Sequence, residues 1–337
     1  MKKLIIVTVI IMLASCATVK HSTLPAEERS ARAAGSQTAL SREGRHGQPV
    51  SEAKTVMAGD SSSMAAAEDQ DQLILATLWY QKSAEMRALF YQCFRNAEIA
   101  LKENLEMQRQ KWSAPEPLRA ESQTVSALSA GETEGAALTS RPRTGPIKPA
   151  AVVLDIDETL LDNSPFQGWQ IIEKKGFNDD DWVRWVELAR ARPLPGAVEF
   201  TRYADSLGVE VFYVSNRTVK EMGPTIKNMT EWGFANADST HMLLKETVSS
   251  KVERRALIEN DFDIILLVGD NLADLSSIYE KRDTDYGFEA VYADRRLFGT
   301  KYIVLPNPMY GNWLNDLLRT APGGTEHEKL VRLLEAF

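Results

Sequence analysis

Three short, continuously apolar runs rich in β-branched residues mark the second half of the chain, at 150–156, 209–214 and 263–268. Runs of this length without polar alternation are what strands covered on both faces require. Between them, 195–207, 220–232 and 249–260 read as helices, and 287–292 and 302–305 as further strands. Strand alternating with helix implies an α/β fold, a parallel sheet with helices on both faces. Ligands in such sheets sit beyond the carboxyl ends of the strands, where the strand order reverses.

Upstream the pattern differs. Met86, Phe90, Phe94, Ala97, Leu101 and Leu105 recur at spacings of three and four, which predicts one or two amphipathic helices over 71–112 docking on the core. Residues 17–70 contain no Phe, Trp or Tyr and cannot bury enough surface to offset ordering entropy, so 16–70 is expected to be a flexible stalk. The stretch 113–149 also lacks aromatics and carries prolines at 115, 117, 142, 146 and 149, the composition of a disordered linker. The rest divides into a core over 150–320, with an insertion at 164–193, and a C-terminal helix over 321–337.

The first fifteen residues, MKKLIIVTVIIMLAS, place two lysines before an apolar stretch, the layout of a secretory signal. A spanning helix needs about 20 apolar residues, which this stretch lacks. Leu13-Ala14-Ser15-Cys16 resembles the lipobox of bacterial lipoproteins, which implies acylation of Cys16 and a lipid anchor in the cell envelope. Ala17 after the cysteine implies the outer membrane. Cys93, the other cysteine, then has no disulfide partner, so stability rests on packing. The formal charge of −8, with no long basic run, argues against a nucleic acid polymer as partner. Arg45-His46-Gly47 matches a phosphohydrolase signature only by chance, since it lacks a strand before it and a further arginine after it. His241 has no metal-binding companion and reads as structural.

Chemistry concentrates where the apolar runs end. Asp155-Ile156-Asp157 follows the first, Ser215-Asn216-Arg217 the second, and Gly269-Asp270-Asn271 with Asp274 the third, while Lys251 sits at a helix start. Two carboxylates that close repel each other unless a cation or a proton intervenes. Period-two geometry places Asp155 and Asp157 on one side of their strand. Each fragment alone is weak, because Asp, Asn and Gly make turns for their own reasons. Their order and spacing together point to a site.

Asp155-Ile156-Asp157-Glu158-Thr159, Ser215, Lys251 and Gly269-Asp270-Asn271 with Asp274 resemble the four motifs of the haloacid dehalogenase (HAD) superfamily over 150–306. Asp162-Asn163-Ser164-Pro165, Asp181-Trp182-Val183-Arg184-Trp185 and Asn307-Pro308-Met309-Tyr310-Gly311-Asn312-Trp313 are similar to class C bacterial acid phosphatases. The resemblance implies a Rossmannoid core with a small cap inserted after strand one, and it implies a Mg²⁺-dependent phosphomonoesterase. A metal shared by carboxylate and phosphate oxygens lowers the barrier to attack on a dianion. Asp155 and Asp270 would supply carboxylates, the Asp157 backbone carbonyl would join them as the resemblance implies, and Asp274 would orient a metal-bound water. Asp155 would be the nucleophile, forming an aspartyl-phosphate, and Asp157 the general acid and base, so activity is expected to favour mildly acidic pH. Ser215 and the Asn216 amide would donate to the phosphoryl oxygens, with Lys251 offsetting charge.

The insertion holds Phe166, Trp169, Phe177, Trp182 and Trp185. Trp169 and Trp185 read as core, whereas Phe177, Trp182 and Tyr310 are candidates for a clamp on a flat ring, as the resemblance to phosphatases of nucleoside monophosphates implies. The expected partners are therefore a small phosphomonoester and a membrane surface, and a homodimer is left open. A surface lipoprotein that keeps the fold and serves as a binding protein is the alternative, and a phosphotransferase is a third.

Overall fold

A computed structural model describes residues 73–113, 148–282 and 285–336. The leader, Cys16, the stalk and all but the ends of the 113–149 linker lie outside those residues.

The described chain enters with α1 (Leu73–Lys82) and α2 (Ala84–Ser113). Ser83 separates them, and its hydroxyl accepts the Met86 amide at 3.0 Å, as a helix start requires. The stripe from Met86 to Leu105 is buried along its length, so the helical spacing of its apolar residues is satisfied by a sheet face.

β1 (Ala150–Leu154) comes next, then the ribbon strand β2 (Leu161–Asp162), the helices α3 (Ser164–Glu173) and α4 (Asp179–Glu187), and β3 (Arg192–Pro193), which pairs antiparallel with β2. The remainder runs α5 (Ala197–Ser206), β4 (Glu210–Thr218), α6 (Met222–Trp232), β5 (Met242–Lys245), α7 (Val252–Asp261) and β6 (Asp263–Gly269). It ends with the single turn α8 (Leu272–Leu275), α9 (Phe288–Ala293), β7 (Tyr302–Val304), α10 (Asn312–Thr320) and α11 (Glu326–Leu333).

The main sheet has the order β5-β4-β1-β6-β7 and all its pairs are parallel. β1 is central, flanked by β4 and β6, so the strand order reverses at its carboxyl end. Alternate residues feed two cores. Val152, Leu154, Val211 and Tyr213 pack with Phe90, Phe94 and Phe200, whereas Ala151, Val153, Phe212 and Val214 pack with Ile258 and Tyr279. The β1–β6 register slips opposite Ala151 and Val152, and the Ile265 carbonyl at the slip is taken by Asn104 Nδ2 of α2 at 2.9 Å.

Several expectations need correction. The 287–292 run is the helix α9: Gly287 adopts φ 85°, and the Asp285 carboxylate accepts the Gly287 and Glu289 amides at 2.9 and 2.8 Å. Phe288 and Tyr292 are exposed, so the apolar letters that suggested a strand are not core positions. β5 escaped notice because only Met242 and Leu244 of its four residues are buried. The expected tail helix over 321–337 is shorter, Glu326–Leu333, begun by a reciprocal cap in which Thr325 Oγ1 accepts the Glu328 amide at 3.2 Å and Glu328 accepts the Thr325 amide at 2.9 Å. β4 continues past Val214 to Thr218.

Candidate active site

β1 ends at Leu154, so the two aspartates belong to a turn and strand periodicity does not govern them. The Asp155 amide makes the last ladder bond, to the Val268 carbonyl at 3.0 Å. Leu160 and Leu161 then both donate to the Ile156 carbonyl, at 2.8 and 2.9 Å. Closing the turn puts Glu158 at φ 56°, a left-handed conformation that costs a residue with a Cβ about 1–3 kcal/mol. The surroundings hold it there: Tyr80 of α1 donates to the Glu158 carbonyl at 3.2 Å, and the Glu158 carboxyl accepts the Asn163 amide at 2.8 Å. Burial, followed by repulsion from Asp157, pushes the Glu158 carboxyl well above its ordinary range.

This turn sends the two aspartates to different company. Asp155 Oδ1 receives Lys251 Nζ, which also reaches Asp274 Oδ1 at 2.7 Å. Asp274 Oδ2 accepts the Asn271 amide at 3.0 Å. Asp270 accepts Thr159 Oγ1 at 3.2 Å and Asn307 Nδ2 at 2.9 Å. Carboxylate oxygens of Asp155, Asp270 and Asp274 lie within 4.8 Å of one another. The glycine before Asp270 is a packing requirement, since a Cβ at Gly269 would come within 2.6 Å of the Asp274 side chain.

Three carboxylates and one ammonium leave this cluster short of positive charge. Asp155 is pushed up to about 7, chiefly by burial, with Asp274 and Asp157 adding repulsion against the opposing pull of Lys251. Asp270 is raised well above the ordinary range by burial, then by Asp274 and Asp155. Burial works against the Lys251 ammonium, yet Asp155 and Asp274 outweigh it and raise its pKa.

Asp157 instead turns toward Arg217. Its Oδ1 accepts Arg217 Nη2 at 2.8 Å, Arg217 Nε at 3.0 Å and Asn163 Nδ2 at 2.8 Å. Its Oδ2 has only longer contacts, Arg217 Nε at 3.3 Å and Ser215 Oγ at 3.4 Å. Asn163 in turn accepts Trp185 Nε1 of α4 at 2.8 Å, and the guanidinium lies 5.6 Å from the Trp182 ring centroid. The inserted helices are thereby tied to the Asp157 carboxylate.

Arg254, on the first turn of α7, joins the two remaining edges. It donates to the Ser215 carbonyl and to Asn216 Oδ1 at 2.5 and 2.7 Å, and to the Ser249 and Ser250 carbonyls at 3.1 and 3.0 Å. The Ser215–Asn216 segment of β4 and the loop leading to Lys251 are therefore braced by one side chain.

A cavity of about 510 Å³ opens over these groups. Its lining includes Asp155, Asp157, Asn216, Arg217, Lys251, Asp270 and Asp274 together with Phe166, Phe177, Trp182 and Tyr310. Ring centroids of Phe166 and Trp182 are 5.3 Å apart, and those of Phe177 and Trp182 6.3 Å. Ser215 does not reach the wall. It is fully buried behind it, with Oγ accepting the Arg217 amide at 3.1 Å. His241 stands at the opposite end of the sheet, between Asp238 at 2.9 Å and Glu210 at 3.0 Å. Arg217, Asn163 and Asn307 stand inside motifs legible in the sequence, but which residues they pair with is not legible there; Arg254 carries no sequence signal.

A central parallel strand whose carboxyl end bears Asp155 and Asp157, with Lys251 and Asp270 brought in from the neighbouring edges, defines an α/β fold of the HAD type. The family model for the HAD superfamily, subfamily IIIB (acid phosphatase), matches residues 94–313, and the chain belongs to that family. The class C acid phosphatase of Bacillus anthracis is 34% identical, with a TM-score of 0.63 over 80% of this chain and 98% of that one. A tungstate-bound structure of the same protein gives 32% identity, a TM-score of 0.62 and the same coverage. Acid phosphatase 1 of Solanum lycopersicum is 28% identical over 167 residues, 47% of this chain and 57% of its own length. A stem 31 kDa glycoprotein of Glycine max is 25% identical over 164 residues, 58% of its length. The chain thus spans less than three-fifths of these curated relatives.

Proposed function

We propose that the protein is a Mg²⁺-dependent acid phosphatase that hydrolyses small phosphomonoesters, nucleoside monophosphates among them, through an aspartyl-phosphate on Asp155. The observation that carries this reading is the divided pair: Asp155 in an under-neutralised carboxylate cluster and Asp157 beside it, both lining one cavity.

The residues fit a divalent metal. Asp155 is buried and Asp270 half-buried, both with pKa values raised first by burial and then by neighbouring carboxylates, and Asp155 Oδ2 accepts no hydrogen bond from any described residue. Asp274, with both oxygens engaged, suits an orienting role. When bound, the ion offsets negative charge shared by carboxylate and phosphoryl oxygens.

The chain's own residues account for the transfer. A carboxylate oxygen of Asp155 attacks phosphorus as the ester oxygen leaves, and Asp157, through Oδ2, gives that oxygen its proton. Asp157 then takes a proton from water as it attacks the phosphoryl-aspartate, restoring Asp155 and releasing phosphate. Lys251 and the Asn216 and Arg217 edge of the cavity balance charge on the phosphoryl group. Tungstate is a phosphate-like oxyanion, and its presence in the Bacillus anthracis relative supports an oxyanion site here. Phosphate release from a panel of monoesters, with and without Mg²⁺ and across pH, is the test; a wild-type protein that turns over none of them refutes the reading. The lipobox at Cys16 supports a lipid-anchored envelope protein, which mass spectrometry of the membrane-extracted N-terminal peptide would check.

A further inference from the structure

On the side of the sheet away from α2, α7 carries Arg255 and Glu259 one helical turn apart. Both line a cavity of about 240 Å³ between α7, the turn after α8 and the start of β7, with Ser276, Ser277, Lys301 and Tyr302 also in its polar lining. Arg255 is 8% exposed, and its Nη1 donates to the Ala273 and Asp274 carbonyls at 3.4 and 2.7 Å. Nε and Nη2 donate to no described residue, which leaves part of the guanidinium fork for the cavity. Asp274, Glu280 and Glu259 are the carboxylates that act on this guanidinium. Two of them are committed elsewhere, Asp274 to Lys251 at 2.7 Å and Glu280 to Ser250 Oγ at 2.6 Å. The Glu259 carboxylate is exposed and makes no hydrogen bond or ion pair with any described residue, and neither does the Lys301 ammonium.

Two cationic groups, serine hydroxyls and one uncommitted carboxylate around a small cavity have a specific chemical complement. An oxyanion accepts from the guanidinium, the ammonium and the hydroxyls. A carboxylate in the same lining only accepts, so it suits an oxyanion that keeps a proton, as phosphate does near neutral pH, and repels sulfate, which keeps none. We infer that this cavity is a second binding site, for inorganic phosphate, in which Arg255 and Lys301 donate to the oxygens and Glu259 accepts the proton. Resting on the phosphomonoesterase reading, that ligand is the reaction's product, and its binding acts on turnover. The fork that holds it also holds the Asp274 carbonyl, and Asp274 contacts Lys251 of the cluster around Asp155. Phosphate on the remaining donors of Arg255 is thereby coupled to the catalytic cluster.

The experiment is equilibrium dialysis with radiolabelled inorganic phosphate on the wild type, Lys301→Gln and Glu259→Gln. Both residues are exposed, so a Tm equal to that of the wild type is expected for each variant. In the wild type with Mg²⁺ present, two phosphates per chain are expected, one in each cavity. Lys301→Gln is expected to bind the second about tenfold more weakly, and sulfate to compete for it at least about tenfold less well than phosphate. Glu259→Gln is expected to abolish that preference for phosphate over sulfate. Equal phosphate binding by the wild type and Lys301→Gln, or a preference over sulfate that Glu259→Gln leaves unchanged, would overturn the inference. Product inhibition reads the coupling: phosphate is expected to lower kcat and raise KM in the wild type, but only to raise KM in Lys301→Gln. Purely competitive inhibition of both proteins would overturn the coupling. A wild type that turns over no ester removes the phosphatase reading, and dialysis still decides whether the second site exists.

Discussion

Asp155 and Asp157 are two residues apart, yet their surroundings are opposite in design. Around Asp155, three closely spaced carboxylates, one buried and two half-buried, have one lysine among them, paired with Asp155 and Asp274, and are left short of positive charge. Around Asp157, one carboxylate meets a guanidinium and an amide, and the ledger of donors is full on Oδ1. The first leaves Asp155 Oδ2 without a donor among the described residues; the second fills Asp157 Oδ1 from within the chain. On the proposed reading the comparison divides the reaction's labour: the deficient region would take up a cation and the phosphoryl group, and the satisfied region would handle a proton from a fixed position.

The comparison can be broken most severely at Asp155. Asp155→Asn keeps the shape and removes the nucleophile, so phosphate release is expected to fall at least about a thousandfold, measured at saturating Mg²⁺. Next come the groups that hold Asp270. Asn307→Ala and Thr159→Val are expected to raise the Mg²⁺ concentration for half-maximal activity about ten- to a hundredfold, by metal titration, because partners of ligating carboxylates carry effects of that size. On the other side, Arg217→Lys loses the paired contacts to Oδ1 and the stacking on Trp182. Its kcat is expected to fall about tenfold or more while the Mg²⁺ requirement stays unchanged. A shifted requirement would show that the two regions are not separate. Smallest of all, Trp185→Phe removes one hydrogen bond to Asn163, and a destabilisation of about 1 kcal/mol by denaturant titration is expected, with activity within about threefold of the wild type.

Much of this was legible because it is local. The apolar runs ending in Asp155, Ser215 and Asp270 are strands β1, β4 and β6, and the helical stripe from Met86 to Leu105 is buried. α9 was not, because Gly287 and Asp285 start a helix through backbone geometry that outweighs the strand-like letters after them. The candidate clamp residues Phe177, Trp182 and Tyr310 do line one cavity, whereas Ser215, chosen as a phosphoryl donor, lies behind its wall. Spacing cannot separate a residue at the wall from one just beneath it.

Residue order alone determined which strand ends would carry carboxylates, because burial on both faces forces an apolar run and the polar letters that stop it mark the edge of the sheet. Tertiary structure decided what each carboxylate would meet. Arg217 reaches Asp157 across 60 positions, Asn307 reaches Asp270 across 37, and Arg254 joins the end of β4 at Ser215 to the loop before Lys251, which lies beyond β5. Such pairings depend on strand order and on how a left-handed turn at Glu158 aims two neighbouring side chains apart. Neither the order nor the aim is a property of any short stretch of chain.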